Sequence, residues 1–291
     1  MKSFFASQQV KHEIENLYHD KLDGLSIQYE FLNVETSFGD TNIVRTGKKG
    51  MPPLVLLHGA NGCAPVAIEA LLGLLDDYCV YAIDVVGQPN LSAEVRPDMN
   101  DHSYGQWMFE VLTRLNIREA ILVGISFGGF ISWKTLVFDE KRIAKAFLIV
   151  PAGIVEGHPL KALSQVFFPM KMYMWRNKEG CLHRFLNALF SERDEFSTKF
   201  LGLLFRNYTM DFSPIPLLKK EAAKKIKTPV YFIAAENDVL FPGEKMLARA
   251  RSIFPNIPDC LLLKNTRHVP GKEGNEKIIH FIKHHIHEST R

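Results

Sequence analysis

Apolar residues in this chain recur in two rhythms. Runs that are apolar nearly throughout occupy residues 53–57, 79–83, 121–125, 146–150, 229–234 and 260–263. Segments of that length, bounded by Gly or by polar residues, predict strands buried on both faces. Between them apolar positions repeat at helical spacing, in Val66, Ile68, Leu71, Leu72 and Leu75, in residues 107–115, in Phe130, Ile131, Trp133, Leu136 and Val137, and in residues 245–253 and 273–287. Strands alternating with helices predict a parallel sheet covered on both faces, with ligands held beyond the carboxyl ends of the strands.

Two stretches depart from this rhythm. At the start, Val10, Ile14, Leu17, Tyr18 and Leu22 lie among Lys, His and Glu as an amphipathic helix expected to pack on the outside or shield a sheet edge, and residues 27–36 and 41–46 then alternate around Phe38-Gly39-Asp40 as an antiparallel hairpin. From about Ile154 to Lys224 the strand rhythm stops, and the chain turns helical and rich in Phe, Met, Leu and Trp. The expected organisation is a core in two parts, residues 1–153 and 225–291, interrupted by a helical insertion at 154–224.

The strand at 121–125 runs directly into Gly124-Ile125-Ser126-Phe127-Gly128-Gly129 and then into a helix. A serine on such a tight strand-to-helix turn needs small residues two before and two after it, and Gly124 and Gly128 supply them. Its hydroxyl is then held in the open, while the N–H of Phe127, at the start of the helix, points where a negative oxygen could form. A serine hydroxyl is a poor nucleophile at neutral pH and needs a base, with an acid to hold that base. In the order expected for such an elbow, the strand ending at Ala235 leads into Glu236-Asn237-Asp238-Val239 and the final strand leads into Thr266-Arg267-His268. Ser126, Asp238 and His268 are therefore the candidate nucleophile, acid and base. Glu236 is a competitor for the acid role, with Asp238 favoured by its place before Val239-Leu240 and Pro242.

Composition removes other classes of function. With 291 residues, 46% hydrophobic and 23% charged, the chain reads as an ordinary globule, and a net charge of +3 spread along it gives no basis for a nucleic-acid partner. Residues 1–7 begin like a leader but turn polar at Ser7-Gln8-Gln9, and no run approaches a membrane span. The four cysteines, Cys63, Cys79, Cys181 and Cys260, are far apart, form no C-x-x-C pair and are expected as reduced core residues. The expected location is cytoplasmic, with no stable membrane insertion, no metal and no cofactor.

Taken together, the His58-Gly59 turn, Asp84 with Gly87 and Ser92, the elbow around Ser126, Asp238 before Val239 and Pro242, and His268 resemble the α/β-hydrolase family over nearly the whole chain. The resemblance implies the α/β-hydrolase fold with a helical lid at the insertion, and an oxyanion hole made by the backbone amides of Ala60 and Phe127. Serine at the elbow, where the dehalogenase and epoxide-hydrolase branches carry a carboxylate, argues against those branches. Two departures stand out: Gly87-Gln88-Pro89-Asn90 replaces a Gly-x-Gly turn, and Ala235-Glu236-Asn237 lacks the Gly that usually precedes the acid.

Other conspicuous residues have structural readings. His58 is expected to fix its loop by hydrogen bonds, Asp84 to brace one, and His280, His284, His285 and His287 to lie on a solvated helix face. Within the insertion, Met and aromatic residues at 166–175 make an adaptable apolar surface, from which Phe168, Met172 and Trp175 are candidates to line an acyl or alkyl pocket. The expected activity is that of a serine hydrolase, foremost a carboxylesterase for small to medium apolar esters. Carbon–carbon, thioester or amide hydrolysis and perhydrolysis are alternatives on the same residues, and a small-ligand receptor without turnover is the alternative of another class.

Overall fold

A computed structural model describes residues 3–287 of the chain. Met1 and Lys2, which open the leader-like start, lie outside the described residues, as do residues 288–291. Among the described residues the six apolar runs and the two hairpin strands form one sheet of eight strands, in the order β1-β2-β4-β3-β5-β6-β7-β8. The hairpin strands β1 (Tyr29–Thr36) and β2 (Gly39–Gly47) are antiparallel to each other, and β2 is antiparallel to β4 (Cys79–Ile83). From there β3 (Pro53–Leu57), β5 (Ala120–Ile125), β6 (Ile143–Ile149), β7 (Val230–Ala235) and β8 (Cys260–Leu263) continue the sheet in parallel.

Because successive side chains point to opposite faces, each inner strand feeds two cores. Val55 and Leu57 of β3 and Leu122 of β5 join Trp107, Phe130, Ile131 and Met246, from α3 (Ser103–Arg114), α4 (Phe127–Phe138) and α10 (Gly243–Ile253). Leu54, Leu56, Ile121 and Val123 join Ile14, Tyr18, Ile68 and Ile282 on the other face, from α1 (Gln8–Gly24), α2 (Ala64–Ala70) and α11 (Lys272–His287). The N-terminal helix thus lies on a sheet face, with Ile14, Leu17, Tyr18 and Leu22 buried.

Between β6 and β7 the chain leaves the sheet. It forms α5 (Pro159–Ala162), a π-helical turn (Leu163–Phe167), α6 (Phe168–Arg176), α7 (Glu179–Leu189), α8 (Glu195–Asn207) and α9 (Lys220–Ala223). Val166, Met170, Tyr173, Leu182, Phe185, Leu186, Leu189 and Phe205 make a separate small core there.

Three local expectations are corrected. The helix predicted through Leu75 ends at Ala70; Leu71 leaves helical geometry (φ −125°, ψ 31°) and a single 3₁₀ turn, Leu72–Leu74, follows. Gly73 in that turn admits α11, since a methyl there would meet Ile279 Cγ2 at 3.2 Å. His285 is buried rather than solvated: it follows Ile278 and Ile282 on the sheet-facing row of α11, packs on Tyr231 and Phe281, and bonds Asp259 Oδ2 at 3.0 Å. Cys63 and Cys79 are core residues, whereas Cys181 and Cys260 are half-exposed, one in the first turn of α7 and the other on an edge strand. Among the described residues no helix is long and apolar enough to cross a membrane.

Candidate active site

The elbow residue Ser126 sits between β5 and α4 with φ 52° and ψ −107°, a conformation disfavoured for a side chain with a Cβ. The crossing around it is too tight for larger neighbours. A methyl at position 124 would lie 2.2 Å from Ser132 Oγ, and one at position 128 would lie 2.3 Å from the Leu57 carbonyl oxygen. The strained backbone is clamped from both sides. The Ser126 N–H donates to Ile149 O at 2.8 Å, and its carbonyl accepts from the N–H groups of Phe130 at 3.1 Å and Ala152 at 3.0 Å.

That second clamp depends on Val150, just past β6, whose φ of 42° is rare for a β-branched residue. Full burial and a 2.7 Å bond from its N–H to Ile233 O hold it there. No sequence pattern announces this turn beyond the Pro151-Ala152-Gly153 that follows.

His268 and Asp238 reach Ser126 from the ends of β8 and β7. His268 Nε2 lies 2.9 Å from Ser126 Oγ, and His268 Nδ1 lies 2.7 Å from Asp238 Oδ2. The other Asp238 oxygen accepts from the N–H groups of Leu240 at 2.8 Å and Phe241 at 3.0 Å. An ionised carboxylate only accepts, so Nδ1 carries the proton of the neutral ring and Nε2 presents its lone pair to the serine hydroxyl. Phe241 stands edge-on to the imidazole, 5.4 Å between centroids. Glu236 is engaged elsewhere, accepting from Asn265 N–H and Lys264 Nζ, both at 2.8 Å. Those two donors lower its pKa.

The loop after β3 faces the serine. A methyl on Gly59 would lie 3.5 Å from Ser126 Cβ. Among the described residues the N–H groups of Ala60 and Phe127 have no acceptor in the protein. The loop is rigidified by His58, as expected, and by Gln88 and Asn90, whose role carries no signal of its own in the sequence. His58 Nδ1–H donates to Gly59 O at 2.8 Å, and its Nε2 accepts from Val85 N–H at 3.0 Å and from Asn90 Nδ2 at 3.1 Å. Asn61 N–H donates to Gln88 Oε1 at 2.7 Å. The segment Gly87-Gln88-Pro89-Asn90, which departs from the family pattern, is thus the brace of this loop. His58 is wholly buried, and burial lowers its pKa to about 4, so it braces the loop in its neutral form.

Asp84 lies beneath the same loop, accepting from Ala64 N–H and Asn42 Nδ2, each at 2.8 Å, and burial raises its pKa to about 6. His58 and Asp84 give opposite pH dependences. As pH falls from about 6.5 to about 4, an unfolded His58 takes up a proton that the folded one refuses, which lowers stability. Between about 6 and 3.8 a folded Asp84 takes up a proton that the unfolded one lacks, which raises stability. Asp84→Asn removes the second contribution, so thermal melts are expected to show a steeper loss of stability between pH 6.5 and pH 4 than in the wild type; an unchanged slope would count against this pairing of shifts.

The insertion is fastened around the site. Phe190 and Val269, next to His268, form a bridge in which Val269 N–H donates to Leu189 O at 2.8 Å and Ser191 N–H to Val269 O at 2.9 Å. Tyr208 OH donates to Gly87 O at 2.8 Å. The candidate pocket residues of the insertion are placed differently from the triad candidates. Phe168 and Trp175 are exposed and Met172 is half-buried, while Val166, Met170 and Tyr173 point into the insertion's own core. Among the described residues no group of three or more His, Cys, Asp or Glu side chains is arranged to hold a metal.

A profile of the alpha/beta hydrolase fold matches residues 52–178, the part that contains β3, the braced loop and the elbow. The chain has the α/β-hydrolase fold. It is 24% identical to the carboxylesterase YbfK of Bacillus subtilis over 289 residues, covering 96% of each chain. It is also 23% identical to the uncharacterized carboxylesterase nap of the same organism, covering 91% of this chain and 90% of that protein. The crystal structure of naproxen esterase (carboxylesterase NP) from Bacillus subtilis superposes on this hydrolase fold with a TM-score of 0.78 at 21% identity, covering 92% of this chain and 96% of the other.

Proposed function

We propose that this hydrolase-fold chain is a carboxylesterase acting on small to medium apolar esters through an acyl-enzyme. The observation that carries the proposal is the unbroken Asp238–His268–Ser126 relay of 2.7 and 2.9 Å, beside two amides that have no acceptor among the described residues. The similarity to carboxylesterases over more than nine-tenths of the chain supports it.

Ser126 Oγ attacks the ester carbonyl as His268 Nε2 takes its proton. Asp238, fixed by two backbone amides, holds Nδ1–H and stabilises the imidazolium. The Ala60 and Phe127 N–H groups receive the developing oxyanion, a contribution of roughly 3 kcal/mol per donor at such sites. The imidazolium then protonates the leaving alcohol, and water repeats the sequence to release the acid. The insertion, fastened to both the His268 and the Gly87 loops, acts as the lid that sets the acyl or alcohol size.

The test is a series of p-nitrophenyl esters of graded acyl length, followed from the first turnover. A burst of p-nitrophenol approaching one equivalent per chain, with a preference for short or medium chains, is the expected result. Absence of any burst or turnover across the series would remove the esterase reading.

A further inference from the structure

The continuous helical run at residues 159–176 buries one face and leaves an apolar opposite face exposed. Val166, Pro169, Met170 and Tyr173 turn inward. Facing away are Leu160 at 69% exposure, Leu163 at 57%, Phe167 at 42%, Phe168 at 56% and Trp175 at 74%. A soluble globule scatters such residues singly; this many along one helical run form a patch that calls for a partner. Phe212, 43% exposed, extends it, with Lys171 Nζ standing 3.5 Å from its ring centroid.

The charge on this run identifies the partner's chemistry. From His158 to Lys178 the sequence holds Lys161, Lys171, Arg176 and Lys178 and no Asp or Glu, although the chain as a whole is nearly balanced. The Arg176 guanidinium lies 4.4 Å from the Trp175 ring, so cation and aromatic form one amphipathic unit. Leu, Phe and Trp flanked by Lys and Arg on a helix lying along a surface is the composition that settles into the headgroup and acyl boundary of a bilayer, with apolar side chains inserted and the cations reaching anionic headgroups.

We infer that the outer face of residues 159–176 is a docking surface for an anionic lipid membrane. Binding is peripheral and reversible, in keeping with the absence, among the described residues, of a helix able to span a bilayer. The inference stands on exposure and charge and does not depend on the proposed esterase activity.

Trp107 and Trp133 are buried at 0% and 4% exposure, so a lipid-dependent change in tryptophan emission reports Trp175. The experiment mixes the full chain with phosphatidylcholine vesicles, with and without phosphatidylglycerol, and measures co-sedimentation and emission maximum. The expected result is binding and a blue shift with phosphatidylglycerol, little of either with phosphatidylcholine alone, and release near 1 M salt, where screening acts within about 3 Å. Lys161→Glu/Lys171→Glu is expected to reduce partitioning at least about tenfold. Leu160→Ser/Phe167→Ser is expected to reduce it while circular dichroism stays native. Equal binding to both vesicle types, or none to either, would overturn the inference. So would a blue shift that appears without lipid as protein concentration rises, together with a doubled mass in sedimentation, because a second copy of the chain would then occupy this face.

Discussion

Ser126→Ala is expected to lower kcat for a p-nitrophenyl ester by about a millionfold, with KM little changed, because the hydroxyl acts on the reacting carbon and adds little to ground-state binding. In this site Ser126 Oγ makes one side-chain bond, to His268 Nε2 at 2.9 Å, so its removal leaves the clamped backbone of the elbow in place. Circular dichroism should therefore remain native. His268→Ala should cost about as much, and the double variant hardly more than either single one, since nucleophile and base act as a unit. Additive losses would mean that the two side chains serve separate steps.

The second large effect concerns the acid. Asp238 Oδ1 accepts two backbone N–H groups, from Leu240 and Phe241, which fixes which side of the group faces His268. In Asp238→Asn the amide oxygen keeps that place and the NH₂ turns toward Nδ1. The imidazole must then accept at Nδ1 and carry its proton on Nε2, where it can no longer take one from Ser126. The expected loss in kcat is about 10,000-fold, the scale found when an amide imposes the wrong tautomer in such a relay. Glu236→Gln should leave kcat near the wild-type value, since Glu236 is bonded to Lys264 and Asn265. A larger loss from Glu236→Gln than from Asp238→Asn would reverse the assignment of the acid.

The sheet was legible because uniformly apolar runs are what strands covered on both faces require, and the elbow because glycines at 124 and 128 answer a steric demand visible in the sequence itself. The order Ser126, Asp238, His268 was legible for a similar reason: each follows a strand at the same end of one parallel sheet. In the insertion, where apolar residues ring the helix, periodicity could not show which side is covered. Phe168 and Trp175 share their helix with Met170 and Tyr173, yet only the latter pair is buried, because the packing of α7 and α8 decides it. His285 went the other way, since the row it shares with Ile278 and Ile282 faces the sheet.

Nor could local pattern reveal the supports of the site. Gln88 and Asn90 act through contacts to residues 27 and 32 positions away, and Val150 through a backbone conformation its own side chain disfavours. Such parts are set by loops meeting in space, which spacing along the chain does not encode.

The most direct measurement is the reaction of the folded chain with a fluorophosphonate, followed by peptide mass mapping. A serine activated by the His268–Asp238 pair is expected to add one phosphonyl group per chain, on Ser126 alone, and Ser126→Ala to add none. Labelling that persists in Ser126→Ala, or a wild-type chain that stays unlabelled, would contradict the account.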